Sequence, residues 1–178
     1  MVADIQLTDD EVESPQRRAF FRRFASGAQQ VVPESVYPRP PWAMPNALFL
    51  ALCTKCNQCI DQCPMRVLGK SDETAEVLAG RPILDLSHGS CDFCGQCVDN
   101  CPTGALSREQ GVKKQVTPWL AGSCQLEFGL YCNLCQEACP EQAIEYVDKK
   151  PVIDEERCTG CGECALDCYS RVLVMTRA

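Results

Sequence analysis

Histidine is almost missing from this sequence: His88 is the one imidazole in 178 residues. Zinc fingers built from mixed cysteine and histidine ligands are therefore excluded, and so is chemistry that needs repeated imidazole acid–base steps. Basic charge is also short. Seventeen Lys and Arg stand against 24 Asp and Glu, a formal charge of −7. The footprint of a nucleic-acid binder is absent. Opposite charge steers protein encounters, so the natural partner is a protein with a basic docking patch. Long apolar runs are missing too. The longest, residues 47–52, has six residues, whereas a membrane helix needs about twenty. No integral membrane segment is expected. No secretory signal pattern is found, and residues 1–52 contain no cysteine.

Cysteine is what the rest of the chain has in excess. All sixteen lie between residues 53 and 168. At this density cysteine means either disulfides in a secreted scaffold or metal sites in a reducing compartment. The spacing decides for metal. Four quartets recur: Cys53, Cys56, Cys59 and Cys63; Cys91, Cys94, Cys97 and Cys101; Cys124, Cys132, Cys135 and Cys139; Cys158, Cys161, Cys164 and Cys168. Two residues between cysteines let one tight loop point three thiolates inward. The fourth cysteine follows three residues on and turns the chain away. This is the ligand run of [4Fe–4S] clusters. Zinc sites usually combine two separated pairs instead, and disulfides between cysteines this close would be strained. Four [4Fe–4S] clusters are expected.

In two-cluster ferredoxins the last cysteine of each run serves the neighbouring cluster. The expected sets are then crossed. Cys53, Cys56 and Cys59 go with Cys101, and Cys91, Cys94 and Cys97 with Cys63. Cys124, Cys132 and Cys135 go with Cys168, and Cys158, Cys161 and Cys164 with Cys139. Seven residues separate Cys124 from Cys132, which makes Cys124 the least regular of the sixteen ligands.

An internal repeat extends beyond the cysteines. Four and five residues after each quartet come two apolar residues: Val67-Leu68, Ala105-Leu106, Ala143-Ile144 and Val172-Leu173. They suggest a short helical turn opened by Cys-Pro, with apolar side chains folded back on the cluster. Pro64, Pro102 and Pro140 open three of these turns, and Tyr169 stands in the fourth. Strands are expected at residues 83–86 and 152–154, each after a proline, and short helices at 73–78 and 138–144. Gly95, Gly160 and Gly162 sit in the cysteine loops, where glycine lets backbone amides approach sulfur. His88 is expected on a surface loop. No residue set resembles a catalytic site, so an electron carrier and not an enzyme is expected.

The fold class is α+β: tandem bacterial-type, two-cluster ferredoxin-like modules with an N-terminal helical and Pro-rich extension. The expected domains are residues 1–46, 47–112 and 113–178. Within the extension, Ser14 and Pro15 can start a helix that carries Arg17, Arg18, Phe20, Phe21 and Phe24. Its Phe side can pack on the domain, or meet a partner or a membrane surface. Export by the twin-arginine route needs an apolar stretch of about 7–15 residues after the arginines, and Arg22 and Arg23 interrupt it. Pro33, Pro38, Pro40, Pro41 and Pro45 then give an extended stretch. It links the helix to the cluster modules or docks on them through Trp42. Arg17, Arg18, Phe20, Phe21 and Trp42 are the candidate partner-binding residues.

With these residues in place, the chain resembles the NapF family, ferredoxin-type accessory proteins of periplasmic nitrate reductase systems. Arg17-Arg18 with its Phe/Arg segment, Arg39-Pro40-Pro41-Trp42, and four quartets with a lengthened third carry the resemblance. It implies a cytoplasmic protein that binds the catalytic subunit of nitrate reductase before export and assists its maturation. It also places the cluster ligands on the sixteen cysteines. The alternative is a general electron carrier, or the electron-transfer subunit of an anaerobic oxidoreductase.

Overall fold

The apolar pairs that follow the quartets organise the molecule. In the computed structural model, which describes residues 33–178, Val67, Leu68, Ala105, Leu106, Ala143, Ile144 and Leu173 are all buried, and Val172 is half-buried. The second residue of three pairs begins a strand: β1 (Leu68–Lys70), β4 (Ile144–Val147) and β6 (Leu173–Arg177). The second residue of the remaining pair, Leu106, makes an isolated antiparallel bridge with Ala43. Each quartet therefore ends by turning an apolar pair into the interior, and the chain then leaves along a sheet edge.

Two half-molecules repeat the same pattern. In the first, β1 pairs antiparallel with β2 (Pro82–Leu84), Leu68 opposite Leu84. In the second, β4 pairs with β5 (Lys150–Ile153), Ile144 opposite Ile153. Asp85 N–H donates to the Val67 carbonyl at 2.8 Å, and Asp154 N–H to that of Ala143 at the same distance. β3 (Val116–Leu120) pairs with β6, Val116 opposite Arg177. The Ala43–Leu106 bridge is its shortened counterpart. Met44 N–H donates to the Ala105 carbonyl as Ala121 N–H does to that of Val172. Pro82, Pro118 and Pro151 fit because two-stranded sheets consist of edges.

Among the described residues, helices are single turns apart from α1 (Asn46–Leu52), which buries Phe49 and Leu50. The others are α2 (Gln58–Asp61), α3 (Gln96–Asp99), α4 (Leu134–Glu137) and α5 (Glu163–Leu166). Each carries the third cysteine of its quartet. This corrects the expected helical turn after Cys-Pro: the helix precedes it, and residues 64–65 form a plain turn. The expected helix at 138–144 is likewise absent: α4 ends before it, and turns lead from there to the start of β4. The expected helix at 73–78 is a series of bends and turns. Lys55 Nζ takes the Glu76 carbonyl and Arg81 Nε takes that of Val77, so side chains claim the acceptors a helix would use.

The Pro-rich stretch docks on the first half. Arg39 lies 4.6 Å over the Phe49 ring, a cation–π arrangement. Pro40 is fully buried, Leu84 N–H donates to the Pro38 carbonyl, and Lys113 N–H to that of Pro41. Trp42 is only 5% exposed and meets Phe93 edge-on at 6.3 Å. Trp42 is therefore core, which corrects its candidacy as a partner-binding residue. Pro33–Ala178 forms one unit by its contacts. The expected helix with Arg17, Arg18, Phe20 and Phe21 lies outside the described residues. Among those described, no helix is long and apolar enough to cross a membrane.

Candidate metal centres

The loop around the second cysteine of a quartet is bent by residues with positive φ on either side. Lys55 and Asn57 flank Cys56, Phe93 and Gly95 flank Cys94, and Gly160 and Gly162 flank Cys161. Left-handed residues close together aim successive amide N–H groups into one concavity, which suits an anionic centre. Gly160 shows why glycine is needed: a Cβ there would stand 2.4 Å from the Val116 carbonyl oxygen. A further left-handed residue stands three positions after each last cysteine: Arg66, Gly104, Gln142 and Arg171. Arg171 N–H donates to the Cys168 carbonyl at 2.9 Å, as Arg66 does to Cys63 and Gln142 to Cys139. The turn after Cys168 thus keeps its form with Tyr169 in place of proline.

The third quartet is built differently. Asn133 has φ −132° and the long loop closes as a 3-10 turn, Gln125–Phe128. The Glu127 carboxylate accepts from Cys124 N–H at 2.9 Å and pairs with Lys150 at 3.3 Å. Both hold its pKa below the usual carboxylate range, the Cys124 amide more strongly. The loop therefore has a fixed shape, and it delivers Cys124 to the other thiols.

Three cavities are lined by four thiols each. Cys53, Cys56, Cys59 and Cys101 line one. Cys124, Cys132, Cys135 and Cys168 line another. Cys139, Cys158, Cys161 and Cys164 line the last. In each, the last cysteine comes from the partner quartet. The remaining four thiols are also neighbours. Burial pushes Cys97 up to about 12, with Cys91, Cys59 and Cys63 adding to it. Burial likewise raises Cys91 to about 11, with smaller contributions from Cys63 and Cys94.

Similar crowding raises Cys59 and Cys164 to about 12, burial first and surrounding thiols second. Four thiolates packed this way call for positive charge among them, and metal binding supplies it by displacing the protons. Cys101 behaves oppositely. Burial acts to raise it, but amide N–H groups of Leu106, Thr103 and Ala105 aim at its sulfur and hold it below the ordinary thiol value. Leu106 N lies 3.4 Å from Cys101 Sγ, and Ala143 N lies 3.3 Å from Cys139 Sγ. Among the described residues no group of three or more Cys, His, Asp or Glu is placed to hold a metal ion. Four thiols around one cavity, three from one quartet and the last from its partner, suit the four iron corners of a [4Fe–4S] cluster.

Several residues that matter here have no motif. Arg81, buried, donates to the carbonyls of Cys53 and Leu50, both at 2.7 Å, and so fixes the entry to the first loop. Ser90 Oγ donates to Glu163 Oε1 at 2.7 Å, and Cys91 N–H donates to the Cys161 carbonyl at 2.8 Å. These bonds join the second quartet to the fourth. His88 is exposed in a bend, and Trp119 is also exposed.

Residues 52–106 and residues 130–172 each match a 4Fe-4S dicluster domain. The chain is similar to the ferredoxin-type protein NapF of Haemophilus influenzae, with 33% identity over 77% of each chain. It is 27% identical to NapF of Escherichia coli K12 over 73% of this chain and 79% of that one. It is 32% identical to the methylamine utilization ferredoxin-type protein MauM of Methylorubrum extorquens, over 73% of this chain and 67% of that one. Fold and site together define an iron–sulfur electron-transfer protein with two tandem dicluster ferredoxin domains that bind [4Fe–4S] clusters. Within that class, the chain belongs to the NapF family of ferredoxin-type proteins.

Proposed function

We propose that the sixteen cysteines hold four [4Fe–4S] clusters in crossed sets, and that the protein serves the catalytic subunit of periplasmic nitrate reductase in the cytoplasm before export. The observation that carries the cluster reading is the grouping of thiols: three cavities, each walled by three cysteines of one quartet and the last of its partner. Bound clusters supply one-electron exchange without proton chemistry. The chain supplies the order of the sites. The first and second sets exchange Cys63 and Cys101, the second touches the fourth through Cys91 and Cys161, and the fourth and third exchange Cys139 and Cys168. The row therefore runs first, second, fourth, third, which differs from the order in sequence.

The partner reading is supported by family membership over three quarters of the chain and by the acidic charge of −7. It is tested by capture of the anaerobically loaded full chain on the unexported catalytic subunit. Retention of the reductase precursor is the expected result, and its absence with fully loaded clusters overturns the partner reading. The cluster reading is tested separately by iron and sulfide analysis, where about sixteen irons per chain are expected.

A further inference from the structure

The four repeats can be laid over one another from their last cysteines. Seven residues further on stand Lys70, Arg108, Tyr146 and Met175. Of these four only the third carries a hydroxyl. Tyr146 Oη lies 3.4 Å from Cys135 Sγ, and Cys135 is one of the four thiols of the cavity it shares with Cys124, Cys132 and Cys168, which Tyr146 itself helps to line. Two elements place the ring. The β4–β5 hairpin sets Tyr146 opposite Pro151, and Gln136 Nε2 donates to the Ile144 carbonyl at 3.0 Å, tying α4 to β4. A phenol keeps its proton at neutral pH, so the tyrosine is the donor and a ligating sulfur the acceptor.

Hydrogen bonds to cluster sulfur are one of the protein's levers on reduction potential. Reduction adds negative charge that spreads onto the sulfurs, and a donor aimed at one of them stabilises the charged state more than the uncharged one. Other polar groups near the sets are weaker candidates. Thr103 Oγ1 stands 3.8 Å from Cys101 Sγ. Arg108 lies beside the Cys94 loop, but it is exposed and forked onto Asp99 at 2.7 and 2.6 Å.

We propose that the Tyr146 hydroxyl raises the reduction potential of the cluster held by Cys124, Cys132, Cys135 and Cys168. This rests on the four-cluster reading. The site is also where the surface is aromatic: Tyr131 precedes Cys132 and is 85% exposed, and Tyr169 follows Cys168 and is 77% exposed. Tyr146 is a positioning residue, since it acts on the cluster through a ligand.

The test is Tyr146→Phe in the full chain, loaded anaerobically, with iron and sulfide counted before an EPR-monitored redox titration. Wild-type iron content is expected. One component should move to a lower midpoint while the others stay in place, and Tyr131→Phe should move none. Superimposable titrations at full iron overturn the proposal. If Tyr146→Phe loses iron, 3-fluorotyrosine at position 146 provides the second reading. It keeps the size and strengthens the donor, so the same component should move up, and a fixed midpoint overturns the proposal. A wild-type protein with far fewer than about sixteen irons overturns the cluster reading instead, so the two failures are distinct.

Discussion

Gly160 is the residue whose replacement is easiest to read. Its φ is +77° and an added Cβ would meet the Val116 backbone, which cannot swing away as a side chain can. Gly160→Ala is expected to cost on the order of 1–3 kcal/mol, seen as a lower midpoint in denaturant with the iron content retained. Cys124 gives a complementary prediction. The loop folds so that Cys124 lines the same cavity as Cys132, Cys135 and Cys168, and Cys124→Ala therefore opens one iron corner. Iron should fall by about one to four atoms per chain, and an unchanged count removes Cys124 from the ligands. Cysteines and loop glycines are legible in a sequence because their geometry is local: two-residue spacing and a forced left-handed turn. Arg81 and Tyr146 are not legible. Each acts on a segment distant in sequence, Arg81 on Cys53 and Leu50 and Tyr146 on Cys135, and neither belongs to a spacing pattern.

At the level of elements, the apolar pairs and the strands near residues 83 and 152 follow from alternation and turn chemistry, and the structure contains them. The helices stand one turn earlier than expected for a physical reason. A quartet loop needs its single helical turn around the third cysteine, to bring that thiol under the loop, and the chain must be extended once the apolar pair has turned inward. Residues 73–78 fail to form a helix because Glu73 is drawn away. Its carboxylate accepts from Ser35 Oγ at 2.7 Å, Val36 N–H at 3.0 Å and Ser71 Oγ at 2.8 Å. Burial acts to raise its pKa, but these bonds outweigh it and leave Glu73 below the ordinary carboxylate value. A depressed carboxylate contributes stability above its unfolded pKa and loses it as pH falls through the folded one. The stretch before Trp42 should therefore loosen in acid. Glu73→Ala should loosen it at neutral pH too, with faster proteolysis at residues 33–37 and no loss of iron. Equal cleavage of mutant and parent would show that Arg39 and Pro40 hold the stretch unaided.

For the whole molecule the question is whether two repeats of one plan behave as one body. Each half has its own hairpin and its own grouping of thiols around a cavity, which favours independent modules. The contacts between them argue for coupling. Val116 and Met175, both on the β3–β6 ribbon of the second half, pack with the core of the first. The Ser90–Glu163 and Cys91–Cys161 hydrogen bonds cross the same boundary. Leu86, buried, presses on Gly162, where an added Cβ would meet its side chain at 3.0 Å. A buried leucine cut to alanine loses about 2–5 kcal/mol, and here that loss falls on the seam and not inside either half. The loaded parent is expected to unfold in denaturant in one transition, by far-UV circular dichroism and by bleaching of the cluster absorbance alike. Leu86→Ala should separate the two signals or split the curve, because the halves then fail at different concentrations. If the parent already shows two transitions, the halves are independent, and the seam serves only to bring the second and fourth thiol sets side by side. If Leu86→Ala lowers a single transition without splitting it, the hydrogen bonds at Ser90 and Cys91 are enough to keep the halves together. Ser90→Ala combined with Leu86→Ala is then the variant expected to divide them.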